Sequence, residues 1–143
     1  MAEIAVVEES GPFAFWRGFA PQLYALLRIV VGFLFIQYGT MKLFAFPIGL
    51  PPNNAAAPVM SQMGLAGTLE TVGGFLILIG LFTRPVAFIL AGEMAVAYFQ
   101  GHFPKGFWPV ANLGTPAVLF CFYFLYLSAD GAGVWSVDNA RRK

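Results

Sequence analysis

Seven polar side chains of this 143-residue sequence sit inside apolar runs or at their ends: Tyr38, Lys42, Glu70, Glu93, Gln100, His102 and Asn112. An acid, a lysine, a phenol and an imidazole brought together can hold a quinone head group by its oxygens, or relay protons. The same groups can instead hydrogen-bond from helix to helix. In lipid such bonds stand in for the missing hydrophobic drive, at roughly 0.6–2 kcal/mol each. Both readings stay open on the residues alone. Glu93 is the sharpest case. An unpaired charge at the bilayer centre costs at least ~2.5–3.5 kcal/mol, so this carboxyl is either protonated or partnered.

Other chemistries fall away. The single histidine, His102, cannot supply two axial haem ligands, and no Cys-x-x-Cys-His occurs. The lone cysteine, Cys121, lies in an apolar run and reads as packing. No His, Cys and carboxylate cluster has metal-site spacing, so no metal is expected. There is no phosphate loop and no glycine fingerprint on a strand–helix turn. Electrons crossing this chain would travel on a bound quinone or on another subunit.

The elements that must position these residues follow from composition. The chain is 59% hydrophobic and 10% charged, with a mean hydropathy of +0.74. Soluble domains carry about 25% charged residues, so this is a membrane protein, and its partner is the lipid bilayer. The net charge of +1 gives no footprint for nucleic acid. Acids at Glu3, Glu8 and Glu9 stand where a signal peptide needs basic residues, so the start reads as retained.

Four spans are expected, at 21–44, 64–83, 85–101 and 113–130. They form an all-α integral membrane four-helix bundle over residues 21–138. A polar tail over 1–12 and an aromatic arm, Phe13–Phe19, precede it, and a basic tail over 139–143 follows. The arm suits either the headgroup layer or packing on the bundle. Phe46–Pro58, rich in proline, reads as a surface loop. The tight link at Thr83-Arg-Pro85 makes helices 2 and 3 an antiparallel hairpin, with helix 3 a little short for a span. On helix 1, Arg28, Phe35 and Lys42 recur every seven residues and share a face with Gly32 and Gly39. On helix 2, Gly67, Glu70 and Gly74 do the same, so these faces suit close approach.

Four spans put both termini and the Thr83–Pro85 link at one end, with Arg17, Arg28, Arg84, Arg141, Arg142 and Lys143. Lys42 and Lys105 fall at the other. The positive-inside rule then places both termini in the cytoplasm, with the chain in the bacterial cytoplasmic membrane. The seven polar residues converge on the outer half, where Lys42 reads as an interface anchor. At the inner end Arg28 and Asp130 come to similar depth and are expected to pair, closing helix 1 onto helix 4.

Taken in order, Gly39-Thr-Met-Lys-Leu-Phe44, Glu70-Thr-Val-Gly-Gly74, Gly80-Leu-Phe-Thr-Arg84, Met94-Ala-Val-Ala-Tyr-Phe99, His102-Phe-Pro-Lys-Gly-Phe107 and Gly131-Ala-Gly-Val-Trp-Ser136 with Asp138 resemble the DoxX family of small four-helix bacterial membrane proteins. The likeness covers roughly residues 22–138 and rests on the order and spacing of these motifs. One motif departs: where the family often has Asn-Gly-Gly-Glu, this chain reads Asn112-Leu-Gly-Thr115, so an acid is missing. The resemblance implies a subunit of a membrane redox system. Archaeal namesakes are associated with thiosulfate:quinone oxidoreduction, and some bacterial members with an oxidative-stress assembly. The expectation is a quinone-interacting redox subunit acting with a membrane protein partner or as a homo-oligomer. The alternative is a non-catalytic accessory or assembly subunit.

Overall fold

A computed structural model describes residues 11–142. Most of the expected polar tail, residues 1–10, and the last residue, Lys143, lie outside the described residues. Four long helices carry the structure: α1 (Ala20–Phe44), α2 (Gln62–Ile79), α3 (Thr83–Ala97) and α4 (Thr115–Asp130). No strand occurs among the described residues. Three helical stretches, Ala14–Phe44, Gln62–Ile79 and Thr83–Lys105, are long and apolar enough to cross a membrane. The fourth, α4, is apolar and 16 residues long.

Each boundary has a local cause. The aromatic arm forms a 3-10 helix, Ala14–Phe19, that runs straight into α1. None of it is buried. Pro21 sits in the first turn of α1, where its missing N–H costs nothing. Ser61 caps α2, its hydroxyl accepting from the Gly64 N–H at 3.1 Å.

The hairpin between α2 and α3 differs from expectation. The reversal is made by left-handed residues at Gly80 (φ +68°) and Phe82 (φ +50°). Thr83-Arg84-Pro85 therefore opens α3 instead of ending α2. Pro85 lies in the first turn, where proline is tolerated. Nor is the third span short. Beyond Ala97 the chain continues through a π-helical turn, Tyr98–His102, and a 3-10 turn, Phe103–Lys105, giving 23 residues from Thr83. The fourth helix starts at Thr115 because Leu113 turns left-handed (φ +61°) and the Asn112 side chain accepts from the Gly114 N–H at 2.8 Å.

The helices pack as two pairs. In the α1–α2 pair glycines let the backbones close in. A Cβ added at Gly32 would stand 2.8 Å from the Leu78 nitrogen, and one at Gly74 would stand 2.9 Å from Ile36. In the α3–α4 pair Ala87, Leu90, Ala91 and Met94 meet Ala117, Phe124 and Leu127. Phe35 joins the pairs, its ring 4.8 Å from Phe124 and 5.1 Å from Phe120. The face of α1 spaced by seven is buried along its length: Arg28 and Phe35 are inaccessible and Lys42 is 9% exposed.

The expected Arg28–Asp130 ion pair does not form. The Arg28 guanidinium instead donates to three main-chain carbonyls of the segment after α4: Ala132, Val134 at 3.3 Å and Trp135 at 2.7 Å. The helix has ended before Gly131, and the carbonyls of the irregular segment that follows have no helical partner and need a donor. They lie nearer the guanidinium than does Asp130, which is exposed. The same segment straps the α2–α3 hairpin. The Asp138 N–H donates to the Gly80 carbonyl, and its carboxylate accepts from the N–H groups of Phe82 and Thr83, all at 2.9 Å. Burial pushes the Asp138 carboxyl up. The bonds from Thr83 and Phe82 and the nearby Arg142 charge outweigh that and hold it below the usual carboxylate range.

Candidate functional site

At the opposite end of the bundle a groove of about 650 Å³ opens between the first half of α2 and the second half of α3. It brings together five of the seven residues singled out above: Lys42, Glu70, Glu93, Gln100 and His102. Its rim is apolar and outward-facing, with Leu65, Ile89 and Val96 each about half exposed. The volume falls within the roughly 300–1,000 Å³ of small-molecule sites.

The polar groups of the groove are engaged to different degrees. Lys42 is no interface anchor. Its Nζ lies 2.6 and 2.5 Å from the two carboxylate oxygens of Glu70, an almost fully buried ion pair between α1 and α2. A Cβ placed on Gly67 would stand 2.9 Å from the Lys42 Cβ, so the glycine makes room for the lysine stem. Nζ also lies 5.9 Å from the Tyr38 ring centroid. Gln62 and Gln100 meet amide to amide at 2.5 Å, tying α2 to α3 at the exposed rim.

Glu93 is the exception. Both of its carboxyl oxygens are buried, and neither has a hydrogen-bond partner. Buried polar groups are nearly always paired, and one that is not asks for an explanation. Next to it Gly92 borders open space, with nothing within 4 Å of where a Cβ would stand. His102 has one nitrogen engaged. Its Nδ1 is 2.9 Å from the Asn112 carbonyl, which can only accept, so Nδ1 carries a proton and Nε2 is left for other partners. The π-helical turn that carries His102 is a local irregularity of a kind frequent at functional sites.

Two of the seven stand apart. Asn112 is buried and fully used: its side chain bonds the Gly106 carbonyl at 2.8 Å, the Tyr98 hydroxyl at 3.4 Å and the Gly114 N–H. It holds the turn between α3 and α4 and does not line the groove. Tyr38 sits outside too, with its ring edge-on to Phe120 of α4 at 5.8 Å. Thr115, at the place of the missing acid, is exposed at the start of α4 and takes no part in the groove. Gln62 and Gly92 escaped the sequence reading. Gln62 stands eight residues before Glu70, about two helical turns along one face, and that spacing was the available signal. Gly92 gives no signal of its own. No group of three or more potential metal ligands occurs among the described residues.

This geometry can be set beside known proteins. The DoxX family model matches residues 23–103, more than half of the sequence. The chain belongs to the DoxX family. The matched span takes in Lys42, Glu70, Glu93 and His102, so every ionisable group of the groove lies within the DoxX segment. A Haemophilus influenzae protein described as uncharacterized is 45% identical over 124 residues, covering 85% of this chain and 92% of its own length. An uncharacterized membrane protein of Mycobacterium tuberculosis is 27% identical over 139 residues, covering 86% and 83%. No solved structure matches the chain.

Proposed function

We propose that this DoxX protein is the quinone-interacting subunit of a membrane redox system, and that the groove between α2 and α3 takes the quinone head group. The observation that carries the reading is Glu93: a buried carboxyl with no protein partner, in a groove whose rim faces outward and is apolar. A lipid-soluble ring with polar oxygens matches that pattern, since it would enter sideways from the bilayer and needs a few hydrogen bonds at its far end. Glu93 and the Nε2 of His102 offer those bonds. Quinones supply two-electron redox chemistry coupled to proton uptake and release. The chain's own residues bind and orient the ring, keep water from it and present titratable groups to its oxygens. A partner subunit exchanges the electrons. By the positive-inside rule the end bearing Arg28, Arg84, Arg141 and Arg142 faces the cytoplasm of a bacterial inner membrane, and the groove lies toward the outer side.

The test is quinone content in a lipid extract of protein purified in mild detergent, together with binding of a short-chain quinone. Wild type is expected to retain quinone. Glu93→Gln, which alters a hydrogen bond worth about 1–2 kcal/mol, should weaken binding by about tenfold. Gly92→Leu should block binding by filling open space without disturbing a helix contact. A quinone-free extract, with both variants binding like wild type, would remove the reading.

A further inference from the structure

A second cavity lies at the other end of the bundle and owes nothing to the groove. It is larger, about 980 Å³, and is bordered by the start of α1, the start of α3 and the segment after α4. Three arginines line it: Arg84, Arg141 and Arg142. We propose that this cavity binds the phosphate head group of an anionic phospholipid.

The charges favour an anion. Arg84 makes one long bond, Nη2 to the Asp130 main-chain carbonyl at 3.3 Å. Arg141 lies over the Phe82 ring, 5.6 Å from its centroid, an arrangement that leaves guanidinium N–H groups at the ring's edge. Two acids share the cavity, Asp130 and Asp138. The Asp138 carboxylate is already bonded to the Phe82 and Thr83 N–H groups, so it satisfies the start of α3 and competes less for the arginines. A phosphate diester offers the acceptor oxygens that guanidinium groups match best.

The apolar part of the lining favours a lipid over a soluble anion. Tyr24 and Tyr126 stand edge to face, their centroids 6.2 Å apart, in the cavity wall. Tyr126 is 59% exposed, and Phe122, one turn along the same face of α4, is 66% exposed. The cavity thus sets arginines beside aromatic rings, and the exposed face of α4 next to it offers an apolar flank for acyl chains. Basic pockets between helix ends beside interfacial aromatics are how membrane proteins select acidic head groups.

The experiment is native mass spectrometry of the full chain in mild detergent with equimolar phosphatidylglycerol and phosphatidylcholine. Wild type should keep phosphatidylglycerol by tenfold or more. Each arginine changed to glutamine should cost roughly fivefold, and Arg84→Gln/Arg141→Gln/Arg142→Gln should bring the two lipids to parity. The matching triple lysine variant, which keeps the charge but loses the guanidinium fork, should fall between wild type and the glutamine triple. Lys105→Gln, in the 3-10 turn at the opposite end of the bundle, should leave the preference unchanged. Parity in wild type, an undiminished preference in the glutamine triple, or an equal loss in Lys105→Gln would overturn the proposal. So would displacement of the lipid by millimolar inorganic phosphate, which would mark a soluble-anion site.

Discussion

Helix α1 carries a buried cation near each end, fourteen residues apart, and the two ends treat them in opposite ways. Arg28 is met by main-chain carbonyls of the segment after α4, which also caps the α2–α3 turn through Asp138. Lys42 is met by one carboxylate, Glu70, and beside that pair stands a second acid, Glu93, with no partner. A guanidinium has five N–H groups in a rigid fork and can gather several carbonyls, whereas an ammonium acts as a point charge. The two terminal nitrogens of Arg28 are thus met by the chain itself. The lysine end is neutralised locally and still leaves polar capacity in an open groove. Arg28 is spent on holding the chain together, whereas Glu93 is left with something to bind.

The widest separation between the ends should appear on removal of Arg28. Arg28→Met strips donors from three carbonyls and loosens the strap on the α2–α3 turn. Its expected cost is about 5 kcal/mol, read as lowered thermal stability in detergent. A loss under about 1 kcal/mol would mean that water or lipid replaces the guanidinium, and the contrast between the ends would collapse. At the other end Glu70→Leu leaves Lys42 buried without a counter-charge and should cost about 3 kcal/mol. Adding Lys42→Met to it should restore most of that loss, because an apolar pair of similar volume replaces a buried ion pair at little net cost. If the double variant is no more stable than the single, the pair is an anchor for the whole helix interface and not a local neutralisation.

Asp138 gives a smaller, pH-dependent mark of the arginine end. Its folded-state pKa is depressed. Its contribution is therefore present above the unfolded pKa and is lost as pH falls through the folded value. Asp138→Asn should cost about 1 kcal/mol at pH 7, as loss of a helix cap does. It should cost nothing at a pH acid enough to protonate the wild-type carboxyl. Thermal melts of both proteins across that range make the check, and a constant gap at all pH would show that the carboxylate's charge is irrelevant.

Which of these features were readable beforehand follows from how local their causes are. The buried face through Arg28, Phe35 and Lys42 was visible as a period of seven, because helical geometry alone sets it. The convergence of Lys42, Glu70, Glu93, Gln100 and His102 followed from span order and depth. The partners did not follow. Asp130 looked right for Arg28 by depth and charge, yet main-chain carbonyls answered it, since their position depends on how the chain turns at Gly131 after α4 ends. Asn112 looked like a site residue, but a side-chain amide in a turn serves the backbone first. The extra length of the third span came from a π turn, which leaves no period in the sequence to read.

The smallest effect on stability is expected where the sequence is most conspicuous. Glu93 makes no bond whose loss would loosen the bundle. Replacing a buried unpartnered carboxyl by leucine removes a desolvated polar group and adds apolar contact. Glu93→Leu should therefore melt within about 1 kcal/mol of wild type, or above it. The same variant should lose quinone retention, while Glu70→Leu loses stability. That crossed pattern distinguishes a binding group from a structural one on adjacent helices. A Glu93→Leu protein destabilised to the level of Glu70→Leu would place Glu93 with the helix-to-helix bonds, and the polar groups of the groove would then serve structure just as Arg28 does.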